Sequence, residues 1–321
     1  MNMACELSIS RSCGKVVLPE LDIAQRERGK PLAFPSNDDV IRDIPLWANY
    51  SGGLMFYALK KVRFENESGL ARAIRRAKSI LATVHESPKV AFLYSVLNVQ
   101  SAKRNPAEAG RMPWVASVEY SLRTGMQLVS DALCADAPPC PAPTPRVAMV
   151  SEYSLPDLAL YKTVVATGNL EVVPASMETA LRQFVARGGR LLCFGPLGRI
   201  NQRGQERPGK CLDLLPCRVE GVTRGKFTLT FVQGETLGAL PVLDLSDTRF
   251  RAWYALTPND SARVLAHFAD GSPAIVSDAS GQVVVLAFDP GPVYAYVVRE
   301  HGGRARALQR LMDRLLTLPV Q

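Results

Sequence analysis

The chain has 321 residues, 47% hydrophobic and 21% charged, with 38 Lys+Arg against 30 Asp+Glu for a formal charge of +8. That length suits two or three domains with cores of their own, and no apolar run is long enough to span a bilayer. The basic residues are scattered and form no Lys/Arg tract with interleaved aromatics, so they predict a solvated surface, with neither nucleic acid nor membrane as a partner.

Residues 1 to about 66 hold two strand-like runs, Lys15 to Glu20 and Gly53 to Ala58, with helical stretches between them at Asp38 to Ile44 and through Trp47. A helix over Ser68 to Val84 puts Leu70, Ile74, Ala77 and Ile80-Leu81 on one face and Arg72, Arg75, Arg76 and Lys78 on the other. Lys89 to Tyr94 reads as a strand, and Trp114 to Leu133 as a helix with Val118, Leu122, Met126, Val129 and Leu133 in step. Ala135 to Pro145 carries five prolines, too stiff and too poor in donors for a regular element. Arg146 to Val150 is the next strand.

Leu158 to Gly198 reads as one strand–helix–strand unit. Tyr161-Lys162-Thr163-Val164-Val165-Ala166-Thr167-Gly168 is apolar and β-branched, as a buried parallel strand should be. Pro174-Ala175-Ser176 opens a helix, with Ser176 placed to cap a free amide of the first turn and Glu178 facing the positive helix end. Ala180, Leu181, Phe184 and Val185 make its apolar stripe, Gly188-Gly189 its stop, and Arg190-Leu191-Leu192-Cys193-Phe194 the second strand. Two strands joined this way require a crossover and a parallel sheet.

From about Thr223 the period changes from helix to strand. Lys226 to Val232, Pro241 to Leu245, Arg249 to Leu256 and Arg263 to Phe268 are strand candidates. Asp270-Gly271 and Ser280-Gly281 sit where tight turns belong, around Pro273 to Val276 and Gln282 to Phe288. Arg304 to Leu316 closes the sequence as an amphipathic helix through Leu308, Leu311, Met312 and Leu315.

Tyr161 to Val165, Phe184 to Leu192 and Leu214 to Gly221 together resemble the trimerisation domain of glycoside hydrolase family 42 β-galactosidases, which has a class I glutamine amidotransferase-like fold. Phe268 to Val276 and Val283 to Asp289 resemble the all-β tail that follows it. Val17-Leu18-Pro19-Glu20, Ile41 to Tyr50 and Gly53 to Tyr57 look like the last two units of the catalytic (β/α)8 barrel. The resemblance implies an α/β protein in five parts. These are a partial barrel remnant over 1–66, a linker helix over 67–88, an amidotransferase-like domain over 89–221, an all-β domain over 222–300, and a C-terminal helix over 301–321. It implies a homo-oligomer, a trimer in the family, acting in carbohydrate metabolism.

The same resemblance puts Glu20 where the family's nucleophile ends the seventh barrel strand, and Trp47 at the barrel mouth, where an indole could stack on a sugar. A retaining glycosidase needs two carboxyls about 5 Å apart. The acid/base glutamate belongs on a fourth strand that these residues have no room to supply, and the expected aromatic after the eighth strand is Leu59. Three functions are therefore open: a non-catalytic assembly domain, which is preferred, a β-galactosidase-like hydrolase completed by missing barrel strands, and a carbohydrate-binding module.

Other chemistry finds less support. Amidotransferase catalysis needs a cysteine on a strand-to-helix elbow, with a histidine base held by a carboxylate. Here Gly195 occupies the elbow, Cys193 lies inside the strand as a small core residue, and no downstream His-x-Glu exists. Gly195-Pro196-Leu197-Gly198 could offer amides to a phosphate, but it lacks a P-loop's lysine and hydroxyl, so a plain turn is expected. Arg199, Arg203, Arg207 and Lys210 read as an exposed basic loop that could attract an anionic sugar. Trp114 and Trp253 could stack on a sugar or serve as buried anchors. Cys134/Cys140 and Cys211/Cys217 are each six apart, and His85, His267 and His301 are the only histidines, so neither a metal nor a cofactor is expected. Seven cysteines without paired spacing, and no signal-like apolar core before Lys15, fit a reducing cytoplasm.

Overall fold

The computed structural model describes residues 20–22, 55–57, 71–72, 74–75, 78, 89–95, 97–98, 118–134, 147–167, 170–201, 203–235, 237, 239–246, 252–298 and 303–319. Two compact units divide the chain, Met1–Pro88 with Ala137–Ala148, and Lys89–Asp136 with Met149–Gln321.

In the first unit, β1 (Glu20–Asp22) pairs in parallel with β2 (Met55–Tyr57), Glu20 opposite Met55. Glu20 was expected to end its strand, but the strand runs on through Leu21 and Asp22. Residues 71, 72, 74, 75 and 78 are helical, as the period predicts, although Ile74 is exposed where an apolar face was expected. Trp47, Leu59, Trp114, the 38–47 stretch and the proline-rich stretch lie outside the described residues.

The second unit is built on a nine-stranded sheet, and its first half is the predicted crossover. β3 (Val90–Tyr94), α1 (Val118–Cys134) and β4 (Val147–Ser151) are followed by a 3₁₀ turn (Leu155–Leu160), then β5 (Thr163–Thr167), α2 (Ala175–Ala186) and β6 (Arg190–Phe194). The remaining elements are β7 (Cys217–Arg224), β8 (Thr228–Phe231), β9 (Leu243–Asp244), β10 (Ala252–Pro258), β11 (Arg263–Phe268), β12 (Pro273–Ser277), β13 (Val283–Leu286), α3 (Pro290–Val297) and α4 (Gly303–Leu316). The sheet order is β4-β3-β5-β6-β13-β12-β11-β8-β9. β3, β5, β6 and β13 run parallel, with Phe92 opposite Val165, Val165 opposite Leu192, and Leu192 opposite Val284. β12, β11, β8 and β9 continue it antiparallel, while β7 and β10 form a separate two-stranded ribbon.

Val283–Leu286 therefore joins β6 directly. The strands expected as a separate all-β region extend the α/β sheet instead. The continuity has a simple cause, because Val283, Val284, Val285 and Leu286 are all buried. A strand apolar on both faces needs cover on both, and the edge of a parallel sheet supplies it.

α2 begins differently from expectation. Its cap is Pro174, with no side-chain hydrogen bond, and Ser176 is an exposed residue of the first turn. Proline before the helix presets the backbone without offering an acceptor. The buried face of α2 is Met177, Leu181 and Phe184, while Ala180 and Val185 are half-buried. Gly188 has φ +89° and ends the helix as predicted.

On α1, Gly125 lies against Phe92 and Phe194, whose rings meet edge to face at 6.2 Å; a Cβ there would sit 3.1 Å from Phe92. α3 and α4 pack against α1, so the terminal helix returns to the α/β layer as expected. Trp253, Phe227, Phe268 and Phe288 form a second core, with Trp253 stacked on Phe268 at 4.2 Å and its indole N–H donating to Ser272 Oγ. Trp253 is thus a buried anchor and not a sugar platform.

Candidate functional site at the carboxyl edge of the sheet

In open α/β sheets, ligands bind beyond the strand carboxyl ends, where adjacent strands send their helices to opposite faces. Here β3 leads through α1 to β4 on one side, and β5 leads through α2 to β6 on the other. The crevice falls between β3 and β5. Ser95 and Asn98 follow β3, Glu152 follows β4, and Leu170 to Val173 follow β5.

These groups bond to one another. Asn98 Nδ2 donates to the Val172 carbonyl at 2.6 Å, and the Val172 amide donates to Asn98 Oδ1 at 2.9 Å. The side-chain amide thus acts as a strand residue would, tying the segment after β5 to the segment after β3. Asn98 Nδ2 also donates to Ser95 Oγ at 2.9 Å. Glu152 Oε1 accepts from the Leu97 amide at 3.1 Å and from Ser95 Oγ at 3.3 Å. Among the described residues, this crevice is stitched by the chain itself.

The glycine turn is similarly occupied. Gly195 and Gly198 have φ +90° and +70°, and their amides donate to the Leu286 and Leu170 carbonyls. Neither is free to cradle a phosphate. Cys193 is fully buried in β6, where burial raises its thiol well above the usual range, with Cys217 and Cys211 adding to the effect. Burial also pushes Cys211 up to about 11 and raises Cys217 further. These are core thiols.

The loop expected to be freely exposed and basic is instead pinned by ion pairs. Arg199 bridges Glu171 at 3.3 Å and Glu206 at 3.1 Å; burial would lower its pKa, but the two carboxylates raise it. Arg207 reaches Glu178 at 2.9 Å, and Glu178 also holds Arg182. Burial alone would raise Glu178, yet the two guanidinium groups hold it below its ordinary value. Lys210 Nζ donates to the Glu220 carbonyl. Glu206 belongs to the loop itself, but Glu171 and Glu178 lie 28 and 29 residues before the arginines they hold, so the local run of arginines gave no sign of them. Arg203, Arg207, Asn201, Gln205 and Glu178 line a cavity of about 240 Å³ at the start of α2. A larger cleft of about 630 Å³ opens where β7 meets β10, with Asp213, Arg218, Thr257, Asn259 and Asp260 on its wall.

Of the residues singled out from sequence, Glu20 is placed by its backbone in β1 of the first unit, and Trp47 lies outside the described residues. Sequence reasoning passed over Asn98, Glu152 and Asp289. Asp289 is a buried carboxyl beyond the end of β13, 4% exposed, and burial raises it to about 7. Its position before Pro290-Gly291-Pro292 was the available signal, since aspartate followed by proline marks a helix start. No group of histidine, cysteine and carboxylate side chains suited to a metal ion occurs among the described residues, and no described helix is long and apolar enough to cross a membrane.

No family model and no curated protein matches the sequence. Solved structures do match the fold. A β-galactosidase from the Antarctic haloarchaeon Halorubrum lacusprofundi aligns at TM-score 0.69 and 16% identity, over 98% of this chain and 45% of its own. A GH42 β-galactosidase from G. stearothermophilus aligns at 0.65 and 14%, over 94% and 46%. An exo-β-1,4-mannosidase from an Opitutaceae bacterium aligns at 0.60 and 14%, over 98% and 55%. The chain spans about half the length of these neighbours. At such identities the likeness speaks for the fold alone: a mixed α/β chain matching part of a glycoside hydrolase.

Proposed function

We propose that this is a glycoside hydrolase-related protein of carbohydrate metabolism whose 89–221 region is a non-catalytic assembly domain, of the amidotransferase-like type found in β-galactosidase trimers. The observation that carries this reading is the self-bonded carboxyl edge: Asn98 occupies the switch-point crevice, Gly195 stands at the elbow, and Arg199 and Arg207 are paired with carboxylates. A sheet that keeps its apolar interior while its usual reactive edge is bonded internally is suited to holding surfaces in place. Tyr153 and Leu160, 71% and 66% exposed, are apolar surface that assembly could cover. On this reading the chain forms a homo-oligomer, a trimer by resemblance, in the cytoplasm and without a cofactor. Size-exclusion chromatography with light scattering at tens of micromolar tests it: a trimer supports the role, and a clean monomer removes it.

A second reading rests on the parallel pairing of β1 with β2, which suits consecutive units of a (β/α)8 barrel. In it Glu20 is the nucleophile of a β-galactosidase-like hydrolase whose remaining barrel strands lie elsewhere, and Trp47 borders the sugar. Hydrolysis of a nitrophenyl galactoside that vanishes in Glu20→Gln would support it, and no turnover by the wild type would dispose of it. The β7–β10 cleft is the place for a carbohydrate-binding module, tested by calorimetric titration with galactosides.

A further inference from the structure

Asp289 is the buried carboxyl with the least compensation among the described residues. Its Oδ1 accepts from the Gly291 amide at 2.9 Å and caps α3. Its Oδ2 is buried without a hydrogen-bond partner, and so is the hydroxyl of Ser121 on α1. Ser121 is nevertheless close enough to act on the carboxyl. The helices that carry the two groups are pressed together. A Cβ on Gly291 would lie 2.6 Å from the Gly125 amide nitrogen and 2.8 Å from Thr124 Oγ1. Water has little room to enter between them.

The described neighbours offer no counter-charge. From α1 come Ser121 and Thr124, neither of which titrates below pH 10, and the Thr124 hydroxyl already donates to the Tyr120 carbonyl at 2.8 Å. From β10 comes the buried Tyr254, whose phenol is raised first by burial, then by Glu171 and Asp289. Arg199, the cation that also reaches Tyr254, is held by Glu171 and Glu206. α4 meets α3 through Gln309 and the Tyr294 hydroxyl, which donates to Asp131 of α1. Among the described residues no cation acts on Asp289 itself. A buried anion without a partner is strongly disfavoured, and such a group neutralises instead.

We propose that Asp289 is held as a neutral carboxylic acid in the tight seam between α1 and α3, making the contact of these helices a pH-sensitive joint that tightens in mild acid and loosens when the carboxyl ionises. Protonation removes a charge that this tight, buried seam cannot solvate and that, beyond the Gly291 amide, the Ser121 hydroxyl alone is left to meet. Burial raises the carboxyl to about 7 against an ordinary 3.8, although the Gly291 amide and the Ser121 hydroxyl oppose it. The folded chain therefore holds this proton more tightly than the unfolded chain does. Stability is full below about pH 4 and falls as pH rises through about 7. A gap of about three pK units corresponds to roughly a thousand-fold fall in the folding constant across that window.

The experiment is urea unfolding of the full chain from pH 4.5 to 8.5, wild type beside Asp289→Asn. The asparagine keeps the shape and cannot ionise, so subtracting its curve isolates this group. The expected difference is a loss of roughly ninety-fold in the wild-type folding constant between pH 5 and 8. Parallel curves would overturn the proposal. Should the asparagine variant not fold, difference infrared spectroscopy of the wild type must show a protonated-carboxyl carbonyl band at pH 5 that fades with a midpoint near 7. Its absence at pH 5 overturns the proposal equally. Ser121→Ala should move that midpoint upward, because the hydroxyl also stabilises the anion, and an unmoved midpoint would exclude Ser121 as the partner.

Discussion

Arg190 opens β6 and is only 7% exposed, yet among the described residues no carboxylate pairs with it. Its guanidinium is satisfied by carbonyls alone: Nη1 donates to Leu316 at 2.7 Å, Nη2 to Leu318, and Nε to Gly281 at 3.4 Å. Leu316 is the last residue of α4, so the cation sits on the negative end of that helix and fills acceptors the helix cannot fill itself. The perturbation is Arg190→Met, which keeps the apolar stem and removes the charge. Two strong charged hydrogen bonds are worth about 1.5–3 kcal/mol each, and the third is near the limit of length. Burial lowers the pKa of Arg190, so part of that gain is returned when the desolvated charge is deleted. The expected net loss is about 3 kcal/mol, and about half that for Arg190→Lys, which can still reach one carbonyl. Urea unfolding should show a lower midpoint at unchanged slope, and hydrogen exchange should show α4 opening before the sheet. A loss under about 1 kcal/mol, or undisturbed exchange in α4, would refute the idea that this side chain holds the terminal helix on the sheet.

Gly189→Ala should lower stability by about 2–3 kcal/mol, because the added Cβ would lie 2.4 Å from the buried Phe184 ring; a thermal melt reads this as a drop of roughly 5–10 °C. Asn98→Leu should cost about 2–3 kcal/mol by stranding the Val172 amide and carbonyl, and a variant as stable as wild type would deny the crevice clamp. Cys193, Cys211 and Cys217 should resist iodoacetamide at neutral pH in the native chain and react in denaturant, since burial keeps all three as thiols. Mass spectrometry of the labelled peptides decides it.

The βαβ unit was legible because its signals are local. Thr163–Thr167 and Arg190–Phe194 are continuous apolar strands, and Gly188 must sit where φ is positive. The hairpins at Gly271 and Gly281 follow from the same positive-φ requirement. Sheet order was not legible. Nothing in Val283–Leu286 says that its partner is β6, far earlier in the chain, because short apolar strands are interchangeable in sequence. The ion pairs of Arg199 and Arg207 were hidden for the same reason: Glu171 and Glu178 belong to the preceding βα segment and meet the loop only after folding. The Ser176 cap was misread because serine is the commoner cap, while Pro174 had already fixed the start of the helix.

The carboxyl edge and the sheet's continuity have one physical root. Joining β13 to β6 moves the boundary between parallel and antiparallel strands to β13/β12, so the loop after β13 emerges beside the loop after β6. Asp289, Tyr254, Glu171 and Arg199 are thereby brought within electrostatic reach of one another. In an open sheet that convergence would be an opportunity for chemistry, because adjacent loops would leave a water-filled cleft with charges aimed into it. Here the β7–β10 ribbon lies over it, and Tyr254 donates its amide to the Ala287 carbonyl. What remains is a buried carboxyl, a buried phenol and an arginine already spoken for by two glutamates. Restoring a reactive edge would need the Asn98 clamp opened and Arg199 freed together. Asn98→Gly combined with Glu171→Gln and Glu206→Gln should therefore gain mobility at this edge in hydrogen exchange, and should gain no hydrolase activity toward galactosides.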